Sequence, residues 1–330
     1  MIKVASDNYN DYYEAEIEID MICMRYYFEL EDVAGNIFFY GKNEFSEEEI
    51  TSNDDMYDCP QNLREEEMFV VPKWAANKVV YQIFPSRFAS SKNVEKELWY
   101  KAPIAHMDNL QGDLRGIMEH LDHLKELGVE VMYMTPIFLA DTMHKYDTID
   151  YYTIDPAFGT KEELKELVEK AHGYGIKVLL DGVFNHTSTK FFAFADVLEK
   201  EEQSEYKDWY YIESFPLKWG WKVKPNFKCF SYFGGMPKLN LSNRKVQDYV
   251  LEVAKYWIRE CDIDGWRLDV GDEVSHKFWK RFRDEIKATK EDALIVGEIW
   301  HYAGDFLEGD EWDTVMNYHF RDAVRDLIAE

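Results

Sequence analysis

Cysteine is scarce in this sequence: Cys23, Cys59, Cys229 and Cys261 are the four in 330 residues, and none has the paired spacing of a zinc site. That excludes a disulfide framework and a thiolate metal centre, and the thiols read as those of a reducing compartment. Positive charge is also short. Lys and Arg number 38 against 64 Asp and Glu, for a formal net charge of -26. Such a surplus repels phosphate backbones and anionic lipid, so nucleic acid and membranes are poor partners. No stretch reaches the ~18 apolar residues of a spanning helix. The amino terminus, MIKVASDNYNDYYEAE, has no basic segment followed by an apolar run. The chain as it stands is therefore expected to be soluble and cytoplasmic. Low-complexity tracts and short repeats of fixed period are missing too. Apolar residues are plentiful, at 46%, and so are aromatic ones, at 16%. The length exceeds one usual domain of roughly 100–200 residues, so a large core and a smaller companion are expected.

Two zones follow one another. From about 10 to 42, the alternating stretches YYEAEIEI, MRYYFELED and NIFFYG, broken at Gly35 and Gly41, predict strands of an antiparallel sheet. Residues 43–68 are acidic and irregular, a loop or linker ahead of Pro72 and Trp74. Beyond about residue 77 a single unit recurs. Leu114, Ile117, Leu121 and Leu124 fall at helical spacing, Gly128 supplies a left-handed stop, and VEVMYMTPI follows as a buried strand. Thr160 and Glu163 form a capping box ahead of Leu164, Leu167, Val168 and Ala171, and Gly175 then precedes KVLLDGVF. Val246 to Trp257 leads in the same way to GWRLDV, and Phe278 to Ile286 leads to ALIVGEIW. Helix feeding strand repeatedly means a parallel α/β sheet. Doubly wound sheets and barrels both satisfy the pattern, but charged residues at successive strand ends favour the barrel, whose chemistry sits on that rim.

Asp181, Asp269 and Glu298 end three of these strands. Arg267 lies two residues before Asp269 and shares its face, because strand side chains alternate. A permanent cation there is expected to keep Asp269 ionised, the state a nucleophile requires. Glu298, packed by Trp300 and apolar neighbours, is expected to hold a proton through a raised pKa. One ionised and one protonated carboxyl is the glycosidase pairing. Taken singly, an Asp at a strand end more often caps a helix or closes a turn. Equivalent placement beside an arginine is what makes these a candidate site. Asn185 and His186 gain interest from following the strand of Asp181. The rings of Trp209, Tyr210, Tyr211, Trp219, Trp221, Tyr232 and Phe233 suit either a small core or the sugar-stacking wall of a cleft. A magnesium or zinc enzyme using the same carboxylates is the metal-dependent alternative.

DGVFNH (181–186), MPKLN (236–240), GWRLDVGDEV (265–274) and GEIWH (297–301) together resemble the signature segments of the α-amylase superfamily, glycoside hydrolase family thirteen. With VVYQIFPSRF (79–88) and VMNYHF (315–320), they look most like its neopullulanase, cyclomaltodextrinase and maltogenic amylase group. The resemblance implies a (β/α)8 TIM-type barrel over 76–330, incomplete here with about six strands, carrying an inserted small domain at about 187–235. Residues 1–75 would be part of an antiparallel β-sandwich domain and its linker. The chain would thus begin within that domain and stop before the last barrel strands and the family's third catalytic Asp.

By motif position, Asp269 matches the nucleophile, Glu298 the acid/base and Arg267 the arginine that orients the nucleophile. Tyr146 in HKYD, His186, Asp181, Glu273, His301 and Lys238 match substrate-binding positions, and Asn185 a structural one. Asp272 stands where the group usually has Asn. The implied activity is retaining hydrolysis of α-glucan oligosaccharides (maltooligosaccharides, cyclodextrins and pullulan), with a homodimeric parent left open. The alternative is an inactive glucan-binding fragment. No cofactor is implied for catalysis. The usual calcium loop corresponds to ASSKNVEKEL (89–98), a poor match for a structural calcium site.

Overall fold

The computed structural model describes residues 1–330 except 8, 9, 18–23, 43, 44, 59–70, 93–108 and 330. Cys23, Cys59, the end of YYEAEIEI, much of the acidic linker and most of the calcium loop lie outside the described residues. Two compact units are present, Met1–Met68 and Phe69–Glu330.

The first unit is antiparallel throughout. Strands β1 (Ile2–Ser6) and β2 (Asp11–Glu14) pair together. Of the strands that follow, β3 (Arg25–Tyr26) pairs with β7 (Tyr57–Asp58), while β4 (Phe28–Glu31), β5 (Ile37–Tyr40) and β6 (Phe45–Ser46) form one sheet. Asp32 sets the β4–β5 turn by accepting from the amides of Ala34 and Asn36, which leaves Gly35 at φ 85°.

The second unit is built on a six-stranded sheet in the order β15-β14-β13-β12-β9-β8, and every pairing in it is parallel. Its members are β8 (Val80–Ile83), β9 (Val131–Met134), β12 (Lys177–Gly182), β13 (Gly265–Leu268), β14 (Leu294–Gly297) and β15 (Thr314–Val315). A short antiparallel pair, β10 (Phe138–Ala140) and β11 (Thr148–Ile154), follows β9. The helices between strands are α1 (Leu114–Met118), α2 (Leu121–Glu126), α3 (Lys161–Gly173), α4 (Phe192–Lys200), α5 (Arg244–Cys261) and α6 (His276–Thr289), with α7 (Tyr318–Ala329) after β15.

Local signals explain the boundaries. Gly128 (φ 83°) and Gly175 (φ 73°) adopt the left-handed conformation a side chain resists, and Thr160 and Glu163 make the reciprocal capping box. The first barrel helix departs from expectation by splitting in two. At the break His120 turns its Nδ1 onto the Gly116 carbonyl, 2.8 Å away, a side-chain bond that competes with helical hydrogen bonding.

Strand alternation divides the core. Met132, Met134, Val178, Leu180, Trp266, Leu268 and Ile295 pack outward among helix residues such as Leu121, Leu167, Val250 and Phe282. Val131, Tyr133, Leu179 and Leu294 form a separate inner cluster with Trp74 and Val296. Both faces are apolar, as a parallel sheet buried on both sides requires. Arg267 and Asp181 are paired in register on adjacent strands. No helix among the described residues is long and apolar enough to cross a membrane.

Candidate active site

The site is organised around Arg267, whose side chain is 5% exposed. Its Nη1 donates to Asp181 at 2.9 and 3.0 Å and to Asp269 Oδ1 at 2.9 Å, and its Nη2 lies 2.6 Å from Glu298 Oε1. One guanidinium therefore serves all three carboxylates. Register explains it: Asp181 is opposite Arg267, Asp269 follows β13, and Glu298 follows the adjacent β14.

The hydrogen bonds are unequally shared. Asp181 also accepts from the hydroxyls of Tyr133 and Tyr146, the latter at 3.1 Å. Glu298 accepts from the Val270 amide at 3.0 Å, the Tyr318 hydroxyl at 3.0 Å and Trp300 Nε1 at 3.4 Å. Asp269 has Arg267 alone among the described residues.

In this arrangement the pKa directions run opposite to the expected ones. Burial pushes the Asp269 carboxyl well above its ordinary value, and the Asp181 charge adds to that push against the pull of Arg267. Burial also acts to raise Glu298, but Arg267 and the three further donors outweigh it and hold this carboxyl below its usual value. Burial likewise raises the Asp181 carboxyl against the pull of Arg267, so two of the three carboxyls around this one cation are pushed up and Glu298 alone is held down. Trp300 is 73% exposed and meets Glu298 through its N–H donor, in place of the apolar packing expected of it.

A cleft of about 700 Å³ opens over this cluster. Asp269, Glu298, Arg267, His186, Tyr146, Glu273 and His301 all line it. His186 is 1% exposed and stacks on Phe230 at 5.0 Å; burial pushes it down to about 3, so it is neutral, and its Nε2 has no hydrogen-bond partner among the described residues. Asp181 lies beneath the cleft with its side chain fully covered. Lys238 and Asn185 stand behind Glu273: Lys238 Nζ reaches Glu273 Oε2 at 3.1 Å and also bonds Asn185 Oδ1, and Asn185 Nδ2 donates to Glu273 at 3.1 Å.

The aromatic wall takes a different form from the one expected. Trp209 and Tyr210 are buried against Tyr249 and Phe194, and Trp219 packs on Phe227. Phe230, Ser231 and Met236 are the residues of that segment that reach the cleft. Sequence reasoning also missed Tyr133, Tyr318, His144 and Val270. The inward position of Tyr133 on its strand was the one available signal. Val270 adopts φ 48°, rare for a β-branched residue, and so aims its amide at Glu298.

A magnesium or zinc ion on these carboxylates would compete with the guanidinium already between them. Among the described residues no group of three or more His, Cys, Asp or Glu is disposed to hold a metal ion.

A parallel β/α sheet with an arginine and carboxylates at the carboxyl ends of adjacent strands defines a barrel-type enzyme whose chemistry occupies that rim. The chain belongs to the α-amylase family: residues 82–330 match its catalytic domain, and residues 1–61 match its N-terminal ig-like domain. A cyclomaltodextrinase of Thermoanaerobacter pseudethanolicus is 43% identical over 100% of this chain and 58% of its own length. A solved cyclomaltodextrinase superposes with a TM-score of 0.82 at 42% identity, covering 98% of this chain and 56% of that one. The cyclic α-maltosyl-(1→6)-maltose hydrolase of Arthrobacter globiformis, solved in complex with maltose, gives 0.69 at 42% identity over 76% of this chain and 57% of its own. The chain thus spans a little over half the length of these relatives.

Proposed function

We propose that the chain carries the catalytic carboxylates of a retaining α-glucan hydrolase, with Asp269 as nucleophile and Glu298 as general acid/base. The observation that carries this reading is that both carboxyls line one cleft while bound to the two terminal nitrogens of a single guanidinium. The shared cation draws them together, which favours the retaining separation of ~5–5.5 Å over the inverting one of ~6.5–9.5 Å. Turnover needs Asp269 ionised and Glu298 protonated, against the directions in which the free site pushes them. One proton passing within the cluster converts one state to the other at constant net charge. A sugar in the cleft that accepts bonds from the Trp300 and Tyr318 donors weakens their hold on the Glu298 anion and favours that transfer. Tyr146 offers a ring for stacking, and neutral His186 offers its free Nε2 to a sugar hydroxyl. NMR of the first product formed from a maltooligosaccharide tests the reading. The α-anomer should appear first, and the β-anomer appearing first would overturn it.

Glucan binding without turnover is the second reading. Among the described residues β8 and β15 are the edges of the parallel sheet, and a cavity of about 680 Å³ is lined by Val80, Gln82 and Val315.

A further inference from the structure

The segment between β10 and β11 turns its two sides to different spaces. His144 and Tyr146 line the cleft, whereas Met143 and Lys145 line a separate cavity of about 220 Å³ together with Ser86 and Phe158. The chain makes this alternation with a residue bent against its preference, since Lys145 adopts φ 65°, the left-handed region that a side chain resists. A long cation in a surface loop ordinarily reaches into water. Lys145 is instead 8% exposed, and its Nζ is fastened at two points, 2.6 Å from Asp155 Oδ2 and 3.0 Å from the Ala140 carbonyl. Asp155 is buried as well, and its other oxygen accepts from the Ala157 amide at 2.9 Å. The Phe158 ring lies under the ammonium, 5.7 Å away. Ala140 ends β10 and Asp155 directly follows β11, so one ammonium ties the turn to both strands that frame it.

The tie acts on the next residue along. With Lys145 turned back, Tyr146 is turned forward: its hydroxyl donates to Asp181 at 3.1 Å and its side chain lines the cleft. Within the turn the Tyr146 amide donates to His144 Nδ1 at 3.1 Å and the Lys145 amide to Thr142 Oγ1 at 3.2 Å. Such local bonds fix neighbours to one another, whereas the buried pair fixes the turn to the strands. We propose that Lys145 is a positioning residue, whose buried pair with Asp155 sets the left-handed turn that holds Tyr146 against Asp181 at the wall of the cleft. Lys145 lies outside the cleft lining and acts on a bound sugar through Tyr146. The placing of Tyr146 stands on the geometry of the turn; its consequence for sugar rests on the proposed glucan-hydrolase reading.

Removing Lys145 alone would strand a buried carboxylate and cost stability whatever its role, so the test uses the neutral pair Lys145→Met/Asp155→Asn, which leaves no charge unpaired. The first measurement needs no sugar. Tyr146→Phe should lower the urea midpoint of the parent, through loss of the bond to Asp181, and leave the midpoint of the neutral pair unmoved. An equal shift in both backgrounds, or none in the parent, overturns the positioning role. The second is calorimetric titration with maltotetraose, in an Asp269→Asn background that prevents turnover. The neutral pair should bind about three- to tenfold more weakly than the parent, as Tyr146→Ala does, and the two changes together should cost less than about twofold beyond Tyr146→Ala alone. A purely structural role would lower the melting temperature and leave the affinity of the folded protein in place. Unchanged affinity in the neutral pair, or a full additional loss on top of Tyr146→Ala, overturns the action on sugar through Tyr146. If maltotetraose fails to bind the parent at millimolar concentration, the glucan-hydrolase reading fails, and the urea measurement still decides whether Lys145 places Tyr146.

Discussion

The upward push on the Asp269 carboxyl makes a prediction that needs no turnover. Replacing Asp269 by Asn substitutes a neutral amide for a carboxyl whose neutral form burial favours, and the amide oxygen still accepts from Arg267 Nη1. Stability near pH 7 should change by less than ~1 kcal/mol, because burial already disfavours the anion that the substitution removes. Glu298→Gln should behave differently. It removes an anion that takes the Arg267 bond at 2.6 Å and three further donors, and its NH2 group opposes at least one of them. One charge-assisted bond is worth ~1.5–3 kcal/mol, so a loss of about 2–3 kcal/mol is expected. For a unit of this size that is a fall in Tm of roughly 5–8 °C. The two variants should also diverge with pH. The raised folded pKa of Asp269 means that the parent loses stability as pH rises from the ordinary carboxyl range through that raised value. Asp269→Asn escapes this loss, so its relative stability improves with pH. Glu298 has a lowered folded pKa, so its contribution is present above the ordinary range and fades as pH falls through the lowered value. The Glu298→Gln deficit should therefore be full near neutrality and shrink in acid. Urea denaturation of both variants at several pH values between about 4 and 8 checks this. Equal destabilisation near pH 7 would show Asp269 ionised at rest and would refute the charge assignment.

Kinetically, Asp269→Asn should abolish turnover while glucan binding persists, and Glu298→Gln should retain activity chiefly on glycosides with activated leaving groups; equal residual rates on both substrate types would mean the wrong carboxylates were chosen. Tyr146→Ala should weaken maltooligosaccharide binding about three- to tenfold through lost stacking area, measured by titration. Val270→Gly removes a side chain from a left-handed position and should leave stability equal or up to ~1–2 kcal/mol higher, while loosening the amide on Glu298 and lowering kcat. Activity should be unaffected by a chelator, since the guanidinium supplies the positive charge at the carboxylates.

Much of this site was legible because strand chemistry is local. Period-two alternation placed Arg267 and Asp269 on one face, and helix-to-strand recurrence put Asp181, Asp269 and Glu298 on one rim; both follow from backbone geometry that any contiguous stretch reports. The motif resemblance then attached expected roles to residues such as Tyr146 and His186, which no periodicity distinguishes. The pKa directions run against expectation for a different reason. The sequence shows that Arg267 is near Asp269 but not that register places Asp181 directly opposite and β14 on the other side, so that the fork must serve three anions. A cation beside one carboxylate lowers its pKa, whereas a cation divided among three offsets burial less at each, and Asp181 and Asp269 are both pushed up. Tyr133 and Tyr318 were missed on the same account. They are 48 and 20 residues from the carboxylates they serve, and their hydroxyls matter only once the sheet has assembled. The aromatic segment shows how far composition carries: it identified a region rich in rings, but burial of Trp209 and Tyr210 is decided by Phe194 and Tyr249, on helices outside it. The charge of a catalytic carboxyl is thus a property of the whole donor set around the guanidinium. A variant series that removes donors one at a time, Tyr318→Phe first, should raise the Glu298 pKa, enlarge the share of enzyme with Glu298 protonated and Asp269 ionised, and carry the acid limb of kcat/KM upward. A limb that stays fixed, or moves down, would mean that Glu298 is not the group whose proton limits the reaction.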